Sequence, residues 1–231
     1  MVSKVPRHAA IILDGNRRYA KKLGLKPWKG HEFGMKKLEE LFRWCMELGI
    51  RELTLYAFST ENFSRAKQEI EFLFRLFKKK FIEVRNKENM FKNSVKVNII
   101  GRMEMFPEDM RAIMAEAMEK TRNNKELIVN FALAYGGRQE ITDSFKQILK
   151  NNPNISPDKI SESLIKKHLY LPSEPDLVIR PGGEKRTSNF LTWQSVYSEW
   201  IFIDKFWPEF TKKDLVECIE DFNRRDRRFG K

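Results

Sequence analysis

The sequence predicts a single α/β domain whose central, mostly parallel six-stranded sheet is flanked by helices. Short runs of β-branched and apolar residues alternate with longer segments whose apolar residues recur at helical spacing. Most of the short runs are apolar throughout, which is typical of parallel strands that are buried on both faces. With 231 residues, 41% of them hydrophobic, the chain can bury one sizeable core. One domain is therefore expected to span residues 1–231.

The predicted elements alternate between strand and helix along the chain, which favours a parallel sheet covered by helices. Strands are predicted at Ala9–Leu13, Leu53–Phe58, Val95–Ile100, Leu127–Leu133, Leu177–Ile179 and Trp200–Ile203. Helices are predicted at Phe33–Leu48, Gln68–Met90, Pro107–Thr121, Gly137–Leu149, Ser161–His168 and Thr211–Arg227. Ser161 and Thr211 suit helix N-caps, and Gly49 suits the end of the first long helix.

The helix predicted at Gln68–Met90 carries an unusually wide apolar stripe. Helical spacing aligns Ile70, Leu73, Phe74, Phe77, Phe81 and Val84, and the stripe is widened by Phe72 and Leu76. A stripe of this kind either faces the core or lines part of a hydrophobic tunnel. The periodicity leaves both interpretations open.

The composition indicates an anionic partner. Lys and Arg number 44 against 32 Asp and Glu, so the net charge is +12. Nucleic acid, an anionic membrane surface and phosphorylated small molecules would each suit this excess. A nucleic-acid-binding module is the rival from another class, but no RRM, KH or helix-turn-helix signature supports it, so no nucleic-acid partner is expected.

The same sequence indicates a cytoplasmic protein. No apolar stretch reaches the roughly eighteen residues of a membrane-spanning helix. The two cysteines, Cys45 and Cys218, lie far apart in the sequence, which suggests a reducing compartment and ordinary thiols.

Polar segments follow three of the predicted strands. They are Asp14-Gly15-Asn16-Arg17-Arg18-Tyr19, Ser59-Thr60-Glu61-Asn62-Phe63-Ser64-Arg65 and the segment from Arg180 to Asn189. Ligands of open α/β sheets bind at the carboxyl ends of strands. Asp14 can hold Mg²⁺, and Gly15 lets backbone amides approach a phosphate. Asp, Gly and Asn are also common in ordinary strand-to-helix turns, so this segment alone leaves the structural interpretation open.

The segment after the fifth strand suits a second anion. Arg180 and Arg186 flank a Gly-Gly turn, and the hydroxyl of Ser188 follows them. Such a group can grip a diphosphate, with about 1.5–3 kcal/mol for each charged hydrogen bond. Neither GxxxxGK[ST] nor GxGxxG occurs, and His31-Glu32 lacks the second histidine of HExxH. The DDxxD clusters of trans-prenyltransferases are absent as well.

Several ordered segments carry a more specific signal. They are DGNRRYAKK, GHEFG, TLYAFSTENFSR and DLVIRPGGEKRTSNFLTWQ, followed by YSEW and RRFGK. Together, from His8 to Gly230, they resemble the cis-prenyltransferase family, which includes undecaprenyl and dehydrodolichyl diphosphate synthases. The resemblance implies that isopentenyl diphosphate units are condensed in cis onto an allylic diphosphate, either farnesyl or geranylgeranyl diphosphate. The product would be a long-chain polyprenyl diphosphate, a lipid carrier precursor for glycosylation.

The resemblance also implies roles for the first two polar segments. Asp14 matches the aspartate that coordinates Mg²⁺ and helps the allylic diphosphate to leave. The diphosphate would be cradled by Gly15, Asn16, Arg17, Arg18 and Arg65, with His31 as a neighbour and Tyr19 where bacterial enzymes usually have tryptophan. For His31, a structural hydrogen bond at a helix N-terminus is the alternative. The two substrates would be ordered by Ser59, Thr60, Glu61, Asn62 and Phe63, with Asn62 participating in proton removal.

The remaining implied roles concern isopentenyl diphosphate, the metal and a partner chain. Arg180, Arg186, Thr187 and Ser188 match the isopentenyl diphosphate site, and Glu199 matches a second carboxylate associated with Mg²⁺. Arg228 and Gly230 match a C-terminal RxG motif that reaches the partner's active site in homodimers. A homodimer is therefore expected, with peripheral membrane contact during product release. The resemblance further implies that product growth stops when the chain fills a tunnel lined by the helix at Gln68–Met90.

One departure from the family pattern concerns the starter. Bacterial members have an arginine four residues before the GHxxG histidine, and this chain has Pro27 there. Lys26 or Lys29 would replace the diphosphate contact, or the contact is lost. Two other activities stay open: transfer of a preformed prenyl group to a sugar or glycerol derivative, and a non-catalytic subunit. Arg180, Arg186 and Ser188 argue against the first, and the presence of Asp14 argues against the second.

Overall fold

Six parallel strands form one sheet in the computed structural model, which describes residues 4–86 and 93–225. The strands are β1 (His8–Ile12), β2 (Glu52–Ser59), β3 (Val95–Ile100), β4 (Leu127–Tyr135), β5 (Leu177–Pro181) and β6 (Glu199–Ile203). Their order across the sheet is β3-β4-β2-β1-β5-β6, and every neighbouring pair is parallel. The predicted fold class is confirmed.

Seven helices accompany the sheet within the described ranges. They are α1 (Asn16–Lys22), α2 (Gly30–Leu48), α3 (Lys67–Arg85), α4 (Glu108–Thr121), α5 (Gly137–Asn151), α6 (Glu162–His168) and α7 (Lys212–Arg224). None of the helices described for this chain combines the length and apolarity that a membrane span requires. Thr211 and Ser161 cap α7 and α6 as predicted, and Gly49, at φ 88°, ends α2.

The sheet separates two layers of core because adjacent side chains of a strand point to opposite faces. On one face, Ala9 and Ile11 of β1 join the largest hydrophobic cluster, which also contains apolar residues of α2, α3, α4 and α7. On the other face, Ala10 and Ile12 join a smaller cluster around Tyr135. All five residues of β1 are buried, which explains its continuous apolar sequence.

The main differences between the predicted and the observed elements concern α1, α2 and α3. The helix α1 was missed because its sequence, NRRYAKK, contains one buried residue, Ala20, and so has no apolar periodicity. The helix α2 begins at Gly30 rather than Phe33 because a 3₁₀ turn at Pro27–Lys29 leads directly into it. The predicted extension of α3 to Met90 falls partly at residues 87–92, which lie outside the described residues.

Candidate active site

The carboxyl ends of β2, β1 and β5 lie side by side at one edge of the sheet, so the three predicted polar segments meet there. They form a pocket of about 560 Å³, whose polar lining includes Asp14, Asn16, His31, Ser59, Glu61, Asn62, Arg65, Arg180, Arg186 and Ser188. A second pocket of about 320 Å³ adjoins it over the start of α1. This pocket is lined by Leu13, Asp14, Gly15, Asn16, Arg17, Arg18, Lys21, His31 and Arg65.

Asp14 follows β1 and is shared by both pockets. Its Oδ1 atom accepts hydrogen bonds from the amide of Gly15 at 2.6 Å and from Arg18 Nη2 at 3.2 Å. Its Oδ2 atom accepts a hydrogen bond from Arg180 Nη2 at 2.9 Å. A partly exposed carboxylate is thus surrounded by cations where the two pockets join, which suits both a metal ligand and a neighbouring diphosphate.

Two glycines keep the backbone close to Asp14. Gly15 has φ 96°, and a Cβ atom there would lie 2.7 Å from the ring of Phe206. Gly182 has φ 108°, and a Cβ atom there would lie 2.8 Å from Arg18 Nη2. Any other residue would be strained at both positions and would displace neighbouring side chains.

Arg180 connects the predicted isopentenyl diphosphate segment with Asp14. It lies in β5 and is only 3% exposed, yet it lines the larger pocket. Its Nη1 atom donates hydrogen bonds to Ser188 Oγ at 2.8 Å and to the carbonyl oxygen of Arg186. The buried guanidinium therefore fixes the loop from Pro181 to Ser188 against the carboxylate.

Arg186 is far more exposed than Arg180, because 62% of its side chain is accessible. It forms an ion pair with Glu184 at 2.5 Å, and Glu184 also lies 3.5 Å from Arg18 Nη1. Ser188 has a left-handed backbone with φ 51°, which is unusual for a residue other than glycine. The loop thus presents one exposed cation and one hydroxyl to the pocket.

A buried carboxylate that the sequence analysis missed lies behind the smaller pocket. Glu69, in the first turn of α3, is 4% exposed. Its carboxylate oxygens lie 2.9 Å from Arg65 Nη1, 3.3 Å from His31 Nε2 and 3.7 Å from Arg17 Nε. The spacing of Arg65 and Glu69 allows a helical ion pair, but nothing local in the sequence links either residue to His31.

The ionisation of this cluster follows from burial and neighbouring charges. The hydrogen bond from His31, together with Arg65 and Arg17, holds the pKa of Glu69 below its usual range although burial opposes this. Burial lowers the pKa of His31, and the bond to Glu69 only partly offsets the effect. Since His31 also lines both pockets, it combines the implied ligand position with the structural hydrogen bond of the alternative interpretation.

The segment after β2 forms a 3₁₀ turn at Thr60–Ser64. The Oδ1 atom of Asn62 accepts a hydrogen bond from the amide of Ser59 at 3.1 Å, which fixes the asparagine at the edge of the larger pocket. The hydroxyl of Thr60 is buried without a partner among the described residues. Phe63 packs edge-to-face against Phe58, with ring centroids 4.9 Å apart.

An apolar cavity adjoins the polar site and shares Leu13, Asn16 and His31 with both pockets. Its volume is about 40 Å³, and its apolar walls are Met35, Leu38, Ala57, Leu73, Phe77, Phe81, Phe131, Leu133 and Trp207. The α3 stripe is therefore mainly core, but Leu73, Phe77 and Phe81 also face this cavity. Phe74 instead packs against Phe58 and Phe106.

Two further predicted site residues, Tyr19 and Thr187, are not among the residues that line the two pockets. Tyr19 packs edge-to-face against Phe33, with ring centroids 5.4 Å apart. Thr187 is exposed, and its carbonyl oxygen accepts a hydrogen bond from the amide of Phe190. Arg228 and Gly230 lie outside the described residues.

Glu199, the predicted second carboxylate associated with Mg²⁺, lies apart from Asp14 within one chain. Glu199 begins β6, in register with Leu177, which is itself in register with Ala9. Asp14 lies five residues beyond Ala9, about 16 Å further along the strand direction. Glu199 instead accepts a hydrogen bond from Arg225 Nη1 at 2.9 Å. Within one chain the two carboxylates lie towards opposite edges of the sheet.

The two lysines expected to replace the arginine missing at Pro27 both lie beside other side chains in this structure. The ammonium of Lys26 lies 5.4 Å from the centre of the Trp28 ring, and that of Lys29 lies 3.3 Å from Glu32. The lysine that lines the smaller pocket is Lys21, in α1. Lys21 could not be selected at the level of sequence because α1 itself was not predicted.

The site fits Mg²⁺ only as a joint site with a substrate. The described part of the chain contains no group of three or more His, Cys, Asp and Glu side chains that would hold a metal ion. Mg²⁺ is usually bound by one or two carboxylates together with substrate phosphate oxygens and water. Asp14, at the junction of two cation-lined pockets, is suited to such a site.

Cation-lined pockets at the carboxyl edge of a parallel sheet, next to an apolar cavity, define a class of enzyme for diphosphates with apolar tails. The model of the prenyltransferase family described as undecaprenyl diphosphate synthase matches residues 12–230. The chain belongs to this family of cis-prenyltransferases and is an enzyme that transfers prenyl groups.

Known proteins are similar to this chain over nearly its whole length. The tritrans,polycis-undecaprenyl-diphosphate synthase (geranylgeranyl-diphosphate specific) of Thermococcus kodakarensis is 50% identical, over 98% of this chain and 88% of its own. The structure of lavandulyl diphosphate synthase from Lavandula x intermedia in complex with dimethylallyl diphosphate superimposes with a TM-score of 0.90, at 32% identity over 98% of both chains. A probable undecaprenyl diphosphate synthase from Campylobacter jejuni gives 0.83, at 34% identity over 99% of this chain and 100% of its own.

Proposed function

We propose that this cis-prenyltransferase extends geranylgeranyl diphosphate with isopentenyl diphosphate to a polyprenyl diphosphate of undecaprenyl length. The relatives named for that reaction include several archaeal proteins that are 43–50% identical over almost the whole chain. The observation that carries the proposal is the position of Asp14 between two cation-lined pockets. A lipid carrier precursor for glycosylation is the role proposed for the product.

The smaller pocket is proposed to hold the allylic diphosphate. Its amides and cations lie at the start of α1, where Arg18 and Arg65 would stabilise the charge that builds on the departing diphosphate. Mg²⁺, when held by Asp14 and the diphosphate, would supply further charge stabilisation. The electron pair of the breaking C–O bond leaves with the diphosphate, and the adjoining apolar cavity would receive the prenyl tail.

The loop from Pro181 to Ser188 is proposed to hold isopentenyl diphosphate. Arg186 and Ser188 face the larger pocket, and Arg180 fixes this loop beside Asp14. The double bond of isopentenyl diphosphate would attack the allylic carbon, and a proton would then leave the new unit. Asn62 lines the same pocket and is proposed to assist that proton transfer. Two anion sites that share one wall supply the positioning that the condensation needs.

The apolar cavity is proposed as the beginning of the product tunnel. With a volume of about 40 Å³ it holds far less than a polyprenyl chain, so α2 and α3 would have to move apart as the product grows. A homodimer with peripheral membrane contact completes the proposal. Val196 and Tyr197, which are 69% and 61% exposed, support an apolar contact surface. Sedimentation at assay concentration tests the dimer.

The function is tested by incubating the purified protein with labelled isopentenyl diphosphate, Mg²⁺ and one starter at a time. The proposal predicts incorporation with geranylgeranyl diphosphate, better than with farnesyl diphosphate, and a product of undecaprenyl length. Dimethylallyl diphosphate alone is the matched control, because the lavender enzyme that superimposes on this chain was crystallised with it. Condensation of that substrate alone, or transfer only to a sugar or glycerol acceptor, would contradict the proposal.

A further inference from the structure

Glu69 differs from the other charged residues near the two pockets because it is buried and is not among the lining residues of either. Its side chain is 5% exposed, and the partly exposed side chains of Arg65 and His31, which both line the pockets, converge on it. A second arginine, Arg17, lies 3.7 Å away. One carboxylate from α3 thus joins residues of α1, α2 and the turn before α3.

Because Glu69 is buried, its stability in the charged form depends on the groups around it. A buried carboxylate is unfavourable unless charged or hydrogen-bonding partners surround it, and here they do. The cations in turn depend on Glu69, because two arginines that face one pocket repel each other. Asp14, which lines the smaller pocket, is already engaged by Arg18 and Arg180. Glu69 is therefore the acid that orients Arg65 and His31.

We propose that Glu69 is a positioning residue for the allylic diphosphate, and that it acts by fixing Arg65 and His31 at the pocket wall. The proposal rests on the allylic site assigned above. In the free enzyme Glu69 holds both side chains in the orientation that the diphosphate requires, so binding does not have to order them. This reduction of the ordering cost is what preorganisation contributes to affinity.

The direction in which diphosphate affinity changes when Glu69 is replaced distinguishes a positioning role from an effect of net charge alone. Removing a negative charge beside an anion site should tighten diphosphate binding if only the net charge matters. If Glu69 positions Arg65 and His31, its removal should instead weaken binding. Glu69→Ala removes both the charge and the hydrogen-bond acceptors, whereas Glu69→Gln keeps the shape and one acceptor. Glu71→Gln, an exposed position two residues further along α3, is the matched control.

The test measures binding of inorganic diphosphate by calorimetry and steady-state kinetics for both substrates. We expect Glu69→Ala to weaken diphosphate binding and to raise the KM for the allylic substrate about tenfold, with an intermediate effect for Glu69→Gln. The KM for isopentenyl diphosphate and the properties of Glu71→Gln should stay within about threefold of wild type. Unchanged or tighter diphosphate binding by Glu69→Ala and Glu69→Gln would overturn the proposal.

A double-mutant comparison tests whether Glu69 acts through Arg65. If it does, Arg65→Ala with Glu69→Gln should bind inorganic diphosphate about as weakly as Arg65→Ala alone. Fully additive losses would overturn this part of the proposal. If Glu69→Ala does not fold, the isosteric Glu69→Gln carries the comparison. Because the calorimetry needs no prenyl transfer, it tests Glu69 even if the isopentenyl incorporation assay contradicts the proposed function.

Discussion

At the scale of single residues, Arg180 and Arg186 contribute to the site in different ways. Both were predicted to contact isopentenyl diphosphate, but their surroundings differ. Arg180 is buried and bonded to Asp14 and Ser188, whereas the side chain of Arg186 is mostly exposed and paired with the acidic Glu184 of its own loop. Arg180 therefore lines the larger pocket and also contacts Asp14, which both pockets share, whereas Arg186 lines the larger pocket alone.

These surroundings predict different kinetic effects for the two arginines. Arg186→Ala should raise the KM for isopentenyl diphosphate about tenfold or more and leave the KM for the allylic substrate nearly unchanged. Arg180→Ala should impair both substrates and kcat, because it leaves Asp14 and the loop unsupported. Arg122→Ala, an exposed residue after α4, is the control. Equal effects of Arg186→Ala on both KM values would show that the sites are wrongly assigned.

At the scale of elements, α3 contributes to both the core and the proposed tunnel. Phe77 is 5% exposed, faces the apolar cavity and also touches Phe58. Phe74 packs among Phe58, Phe63 and Phe106, away from the residues that line the cavity. The helix thus carries two aromatic residues, three positions apart, in different environments.

Truncation of these two rings should have separable consequences. Phe77→Ala should lengthen the product if the cavity is the start of the tunnel, because the ring narrows it. Phe74→Ala should leave the product length unchanged and lower the free energy of unfolding by less than the ~3–5 kcal/mol of a fully buried phenylalanine, because the ring is only partly buried. Product sizing beside a melting curve distinguishes the two. An unchanged product length in a folded Phe77→Ala enzyme would remove α3 from the tunnel wall at this point.

His8, the first residue of β1, should make the free energy of unfolding depend on pH. Burial lowers the pKa of His8, which shares a hydrogen bond of 2.8 Å with Thr54 and lies 4.0 Å from Glu52. Below about pH 6.5 the unfolded chain binds a proton at this residue that the folded chain does not. The contribution of His8 to the free energy of unfolding is therefore fully present above that pH. It decreases as the pH falls towards the lower folded pKa, by at most about 1.4 kcal/mol per pH unit.

Replacing His8 with glutamine tests this dependence directly. Denaturant unfolding of wild type and His8→Gln is compared between about pH 7.5 and about pH 5, a range that includes the reference pKa of histidine. As the pH decreases, the free energy of unfolding should fall less in the variant. The remaining loss would include His31, whose pKa is lowered as well. Identical pH dependences would contradict the account of His8.

At the scale of the whole molecule, strand order explains why the sequence predicted much of the site. Asp14, Ser59 and Arg180 each follow or end an apolar strand, and parallel strands place their carboxyl ends at one edge. Local sequence could not reveal Glu69, whose role depends on the packing of α3 against α2, or Lys21, whose helix lacks an apolar pattern. The predicted strand at Trp200–Ile203, in contrast, already placed Glu199 at the amino end of its strand, where β6 begins.

The central claim, that two diphosphates meet at Asp14, is tested most directly by one assay. Labelled isopentenyl diphosphate is supplied with geranylgeranyl diphosphate and Mg²⁺ to the wild type, to Asp14→Asn and to the exposed control Asp158→Asn. We predict undecaprenyl-length product from the wild type and the control. We predict less than about a tenth of that rate from Asp14→Asn, a barrier increase of more than roughly 1.4 kcal/mol, with little change in melting temperature. A folded Asp14→Asn enzyme that keeps more than that tenth would contradict the claim.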